Sequence, residues 1–409
     1  MDIAGDCSEA FLVDSNSALE FKLVRHADDL KDEKTTFRPE MSHQVFGENE
    51  RIFGYRDLKV KLYYTAGRLN TYLGIDFKET ADPDDFDGVE PDDIMRIVAE
   101  KIPPGFMVNL DTFLESLNKE SSFKPHGELV HSFKTERDGK APSTCEIYYC
   151  ETSNADFIKY HSRLQTFVLW YIDASSYIDT DDDNWRFFTC YEKYERDGNT
   201  LYAIAGYATV YDYYAYPENK RPRISQFLVL PPFQRQGIGA NLLRTIYNRY
   251  MGNAKVLDIT VEDPSQDFQF LRDYVDCENL KQLSCYQPDA LKRGFCPNEM
   301  ALEAREKFKI NKKQARRVYE ILRLRATNRS DSEEYRQYRL DVKKRLNTPF
   351  QKENLMLEKL QKVLSEDELK ATALNLKDKS QRLESLDRQY KDLEEEFLHV
   401  IERMAASSS

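Results

Sequence analysis

The chain has 409 residues, 41% of them hydrophobic and 12% aromatic, enough to build two or three cores. Its formal net charge of -12 excludes a uniformly basic nucleic-acid binder and suits a basic partner. The seven cysteines are odd in number and form no C-x-x-C pair, so we expect reduced thiols in the cytoplasm or nucleus, with no disulfide framework and no zinc or other metal site. The acidic, polar start of the chain does not read as a secretory signal, and the longest apolar run, 167–172, is too short to cross a bilayer.

Residues 1–135 read as a mixed α/β unit. Strand patterns at 18–24 and 58–64 flank an acidic turn that holds Glu48, Asn49 and Glu50. The stretch 76–93 sets nine acidic residues against Lys78 alone. It is either a solvated loop or a surface for a lysine-rich ligand. Short helices are predicted at 94–102, ended by Pro103-Pro104-Gly105, and at 110–117.

A second domain is expected over 136–297. A strand is predicted at 146–150, and helix spacing runs over 156–172 through Phe157, Tyr160, Leu164, Phe167, Val168 and Tyr171. After an acidic turn at 179–183, strands at 185–194 and 201–211 are joined through Asp197-Gly198, a hairpin signature. The apolar run 224–230 ends at Pro231-Pro232, which cannot donate ladder bonds. A glycine-bearing loop then opens into a helix. A further buried strand at 254–261 ends in Glu262-Asp263-Pro264, with Ser265 placed to cap the next helix. This order predicts an α/β fold with a mixed sheet, its ligand at the carboxyl ends of the strands.

A helical domain is expected over 298–348, with helices at 299–308, 312–325 and 332–346. Its basic cluster of Lys312, Lys313, Arg316, Arg317, Arg323 and Arg325 reads as a solvated face. The tail, 349–409, carries a heptad with Leu383, Tyr390, Phe397 and Met404 at steps of seven, and Leu386, Leu393 and Val400 between them. A packed amphipathic helix and a coiled coil with a partner both satisfy that pattern.

Gln234, Arg235, Gln236, Gly237, Ile238, Gly239 and Ala240 form the loop and helix start. A dinucleotide fingerprint needs a third glycine where Leu242 stands, and a kinase-type loop needs a missing G-K-[ST]. The remaining pattern is Q/R-x-x-G-x-G/A. Gly237 and Gly239 admit close backbone approach to a pyrophosphate, and free helix N–H groups attract it. A helix start with small residues for packing is the alternative. Glu262 is either a general base or an acid serving the following helix. Asp173, behind an apolar run, is either a desolvated carboxylate or an exposed helix end.

Five longer stretches carry a resemblance: FGENERIFGY at 46–55, LQTFVLWYID at 164–173, RPRISQFLVLPPFQRQGIG at 221–239, LDITVEDPS at 257–265 and FKINKKQARRVYEILRL at 308–324. The chain resembles the type B histone acetyltransferase catalytic subunits of the GNAT superfamily. The resemblance implies an N-acetyltransferase fold and acetyl-CoA as co-substrate, held by Phe227, Leu228, Val229 and the 234–240 loop. It implies transfer to lysines of newly made histone H4, and also of the A-type H2 histone, by direct attack in a ternary complex. Glu262 would be the general base, with Asp173 and Asp263 as supporting carboxylates; Asp173 stands where the family more often has Glu. Glu48, Asn49, Glu50, Tyr211, Asp212 and Tyr213 would contact the tail. A WD40-repeat histone-binding subunit would dock on an amino-terminal helix, for which 8–20 is short. No direct nucleic-acid or membrane contact is implied, and the protein would be cytoplasmic and nuclear. Acetylation of another protein or a small amine, and a catalytically silent histone-binding scaffold, are the alternatives.

Overall fold

Strand formers dominate the first part of the chain and helix formers the last. The computed structural model describes residues 9–137, 140–360 and 379–406. It divides into two units, Met1–Arg249 and Tyr250–Ser409. Cys7 and most of the segment between 349 and the heptad helix lie outside the described residues.

In the first unit, β1 (Leu19–Val24) runs parallel to β2 (Lys59–Thr65), and β2 pairs antiparallel with β3 (Thr71–Asp76). All of β1 is buried, Glu20 and Lys22 included. The Lys22 ammonium is satisfied by the carbonyls of Asp29 at 2.8 Å and Asp32 at 2.7 Å. Burial still pulls its pKa down. Before β1, residues 12–18 hold a three-residue strand and a single helical turn, Ser15–Ala18. Glycine and proline punctuation places the helices Ile94–Ala99 and Leu110–Ser116 as expected.

A larger sheet follows. β4 (Glu128–Arg137), β5 (Lys140–Glu151), β6 (Trp185–Arg196), β7 (Asn199–Ala215) and β8 (Asn219–Val229) lie side by side in chain order, each antiparallel to the next. Asp197 at φ 50° and Gly198 at φ 74° give the β6–β7 hairpin two positive-φ residues, the geometry that matches strand twist. The single helix predicted over 156–172 is three pieces: α1 (Ala155–Leu164), a tighter turn at Gln165–Phe167 and the short helix Val168–Tyr171. Thr166 bonds back to the Arg163 carbonyl at 2.8 Å, where the helix tightens. β8 leads through the proline turn into α2 (Ile238–Met251).

The second unit holds far less strand than expected. The apolar stretch 254–261 pairs only from Ile259, which bridges to Ile310, and its regular strand is β9 (Thr260–Val261). Asn253 folds the stretch before it into a turn by accepting the Lys255 N–H at 2.9 Å. α3 (Gln266–Leu280), α4 (Lys312–Ala326), α5 (Ser332–Leu346) and α6 (Lys379–Ala406) form a bundle. Of the basic cluster on α4, Lys312, Lys313 and Arg325 are exposed as expected, whereas Arg316, Arg317 and Arg323 are half-buried. Arg317 joins fully buried Asp273 at 2.6 Å and Glu396 at 2.7 Å. Buried Glu320 accepts Arg345 twice at 2.7 Å and Arg316 at 2.8 Å. Charges out of water need such partners. The heptad residues Leu386, Tyr390, Phe397, Val400 and Met404 are buried as α6 packs on α3, α4 and α5, so its apolar stripe is used within the chain.

His161 sits on the buried face of α1 with its ring 4.6 Å from that of Phe187 and 5.8 Å from that of Phe157. Neither ring nitrogen has a hydrogen-bond partner among the described residues, and burial lowers its pKa to about 3 from 6.5. Below pH 6.5 the unfolded chain takes up a proton there that the folded chain refuses. Stability is therefore lost as pH falls through that window, by roughly 1.4 kcal/mol per pH unit from this one group. Urea titrations from pH 7 to pH 4.5 should show a shallower acid loss in His161→Leu than in the unaltered chain; parallel curves would contradict it.

Candidate active site

The glycine loop is built by its own side chains. Phe233 N–H closes the proline turn onto the Leu230 carbonyl at 2.8 Å. The Gln234 amide donates to the Val229 carbonyl at 3.0 Å and the Gln236 amide to that of Pro232 at 3.1 Å. Arg235 at φ 60° and Gly237 at φ 79° turn the chain sharply into α2. Ile238 and Ala240 are buried and anchor the helix start. A Cβ on Gly237 would meet nothing nearer than the Asn241 amide nitrogen at 3.9 Å, so the backbone there faces open space. Residues 238–240 begin a helix whose first N–H groups lack intrahelical acceptors. That open, donor-rich cradle fits a pyrophosphate.

β8 alternates strictly, with Gln226, Leu228 and Leu230 buried and Phe227 and Val229 half-buried on the other face. A register shift against β7 falls between Gln226 and Ile224. The bulge therefore lies at Ser225, and at Leu228 and Val229 the ladder runs paired to Tyr207 and Gly206.

Alternation also separates the three residues 211–213. Tyr211 and Tyr213 pack as tilted rings with centroids 4.5 Å apart and planes at 59°, and the Arg223 guanidinium lies 4.7 Å over the Tyr213 ring. The Tyr211 hydroxyl donates to Asp182 at 2.7 Å. That bond and the Asn184 backbone N–H hold the Asp182 carboxyl below its usual range, the backbone bond first. Asp212 departs from the tail-contacting role expected of it. It is buried, facing Lys220 at 3.3 Å and Arg186 at 3.5 Å, so its charge is used inside the protein.

Glu48, Asn49 and Glu50 form the turn expected, and they divide likewise. Glu48 and Asn49 are exposed. Glu50 accepts backbone N–H groups from Ser42 at 2.6 Å and His43 at 3.0 Å, and the Asn16 amide at 2.7 Å. The Ser42 bond is the main reason its pKa is lowered. Asp173 is not desolvated: its side chain is 76% exposed, because the helix Val168–Tyr171 ends before it. Its carboxylate meets His43 Nε2 at 3.1 Å, while His43 Nδ1 lies 3.6 Å from Glu50. His43 thus brings together two expected site residues far apart in sequence. Its position seven residues before Glu50 was the only local signal.

In the second unit, Glu262 and Asp263 are exposed at the end of β9. Asp263 holds φ 28°, a strained backbone that turns the chain between Glu262 and Pro264. Ser265 caps α3 by accepting the Phe268 N–H at 3.2 Å, and Asp267 is its first-turn acid.

Three family models match the chain: "Histone acetyl transferase HAT1 N-terminus" over residues 11–173, "Acetyltransferase (GNAT) family" over 147–268, and "Histone acetyltransferase type B catalytic subunit, C-terminal" over 272–324. Among curated proteins, histone acetyltransferase type B catalytic subunits of Rattus norvegicus and Homo sapiens are each 46% identical over 96% of this chain and 93% of their own length. One from Dictyostelium discoideum is 35% identical over 84% of this chain and 74% of its own.

The geometry separates neighbouring acids by role. Glu50→Ala removes the acceptor of two backbone N–H groups and should cost roughly 1–3 kcal/mol of stability, whereas exposed Glu48→Ala should leave the melting temperature within about 1 °C. Thermal denaturation of the two variants checks this; equal melting temperatures would refute the assignment.

Proposed function

Because the chain belongs to the family of histone acetyltransferase type B catalytic subunits, we propose that it acetylates lysines in the amino-terminal tail of newly made histone H4, and of the A-type H2 histone, with Glu262 as general base. It is an acetyltransferase of the GNAT fold, whose enzymes use acetyl-CoA. The observation that carries the reading is the open, positive-φ turn at Gly237 leading into the first N–H groups of α2. There the backbone of residues 237–240 holds the pyrophosphate, and the backbone of Phe227, Leu228 and Val229 meets the rest of the co-substrate.

A free lysine has a pKa near 10.4, so only about one in a few thousand is neutral at pH 7. Glu262 takes the proton, directly or through a water, as the amine nitrogen bonds to the thioester carbonyl carbon. The C–S bond then breaks, and the thiolate leaves and is protonated. No covalent acyl-enzyme forms. Asp173 and Asp263 support the charge balance of the lysine. Tyr211 and Tyr213 flank its aliphatic stem, and Glu48 and Glu50 face the basic residues of the tail. Acidic exposed stretches at 76–93 and 179–183 draw the tail in. A WD40-repeat histone-binding subunit is the partner, with work in both cytoplasm and nucleus. Residues 1–135 serve histone contact and 136–297 co-substrate binding.

Mass spectrometry of an H4-tail peptide incubated with acetyl-CoA and the purified chain tests the substrate; acetylation of polyamines in preference to the peptide would replace this reading with the small-amine one. Glu262→Gln should lower kcat about 10²–10⁴-fold with an unchanged acetyl-CoA Kd. Equal loss of both would mark Glu262 as structural. Peptide KM should rise steeply between 50 and 500 mM salt, about tenfold or more; a flat salt profile would remove the acidic stretches from tail capture.

A further inference from the structure

We propose that His43 is a positioning residue whose imidazole sets the charge of the carboxylate edge that meets the basic peptide. The inference rests on the proposed docking of a lysine-bearing tail beside Glu50 and Asp173.

The arrangement is asymmetric. Glu50 is half-buried and held by the backbone N–H groups of Ser42 and His43 and by the Asn16 amide. Asp173 is mostly exposed, and among the described residues the imidazole is the one group that bonds its carboxylate. The ring itself is a quarter exposed, 3.1 Å from Asp173 and 3.6 Å from Glu50. The segment around it is pinned to the chain before Asp173 and just after it. The Glu40 and Met41 N–H groups donate to the Trp170 carbonyl at 3.0 and 3.3 Å, and the Gln44 amide donates to that of Ser175 at 2.8 Å. The helix Ile94–Ala99 packs on the short helix His43–Phe46 and carries Arg96, which is engaged by Asp93 and Glu100. The helix Val168–Tyr171 carries no charge. Glu50 and Asp173 are therefore the charged groups in contact with the ring.

A charged imidazole donates to Asp173 at 3.1 Å, faces Glu50 at 3.6 Å as a cation, and leaves the trio with a single net negative charge. A neutral one donates from one nitrogen only. The shorter distance assigns that bond to Asp173, and the trio then carries two negative charges. Loss of the ring proton strengthens the pull on a cationic peptide, by about threefold for one unit charge at roughly 7 Å in water. The effect falls on peptide capture, so it appears in KM for the peptide and hardly in kcat.

The test uses the full chain, acetyl-CoA and a lysine peptide free of histidine, assayed from pH 5.5 to pH 8.5. Two variants fix the charge: His43→Gln keeps a neutral donor, and His43→Lys keeps a permanent cation. In the unaltered chain peptide KM should fall as pH rises. His43→Gln should hold the low, high-pH value throughout, and His43→Lys the high, low-pH value, with kcat following the unaltered profile in both. Acetyl-CoA affinity and the circular dichroism spectrum confirm that each variant is folded. A KM profile in His43→Gln that still tracks the unaltered chain overturns the inference. Absence of turnover on any basic peptide by the unaltered chain overturns instead the reading on which it rests.

Discussion

A single bulge in β7 fixes how the first unit is assembled. The ladder from β6 skips a residue between Gly206 and Ile204, leaving Ala205 without an opposite partner. The groups freed there are spent elsewhere. Ile204 donates to the Ala66 carbonyl at 2.9 Å, tying in the loop after β2, and the Ala205 carbonyl accepts Leu230 N–H at 2.9 Å, just before the proline turn. Gly206 beside it has no room for a side chain, since a Cβ would stand 2.5 Å from the Leu228 carbonyl oxygen. Bulges re-aim strands at the cost of local pairing. Here the unpaired groups connect the small sheet, the large sheet and the glycine loop through one point.

Acidic residues in this chain do two kinds of work, and burial separates them. Glu120 accepts the N–H groups of Gly67 at 2.7 Å and Arg68 at 3.1 Å, and burial raises its pKa despite those bonds. Asp212, Asp273 and Glu320 are likewise closed inside the protein with cationic partners. Most of 76–93 remains at the surface, yet even there Asp92 accepts the Phe53 N–H at 2.7 Å and Asp93 caps a helix. The net charge of -12 therefore overstates the negative surface offered to a peptide.

What could be read in advance follows the range of the interaction. The Asp197-Gly198 hairpin and the Ser265 cap are decided by neighbours within three residues, and both formed as read. The stretch 254–261 is apolar enough for a strand, but pairing needs a partner, and within its unit that begins only at Ile259. β4 was missed because Glu128, His131, Ser132 and Lys134 hide its pattern among polar residues. Arg317 looked like part of a solvated face because its partners Asp273 and Glu396 lie on other helices; Arg316 has a partner four residues on, Glu320, a spacing the sequence did offer. The loop residues 234–240 were legible as a motif, whereas the meeting of His43 with Asp173 depends on distant chain, as the neighbouring Gln44–Ser175 contact at a separation of 131 illustrates. The family resemblance named the carboxylates but said nothing of the imidazole between two of them.

The Arg317 bridge has a consequence for how the protein is made. Glu396 lies 79 residues beyond Arg317 in the chain. Phe397, Val400 and Met404 are equally late, and all are buried against helices that precede them. A ribosome delivers β4 to β8, joined to their neighbours in chain order, long before it delivers α6. That sheet can form as it emerges. The helical bundle must wait until α6 has emerged, with the apolar faces of α3, α4 and α5 uncovered until then. That interval is when the nascent chain is most exposed to misassociation and most in need of a chaperone.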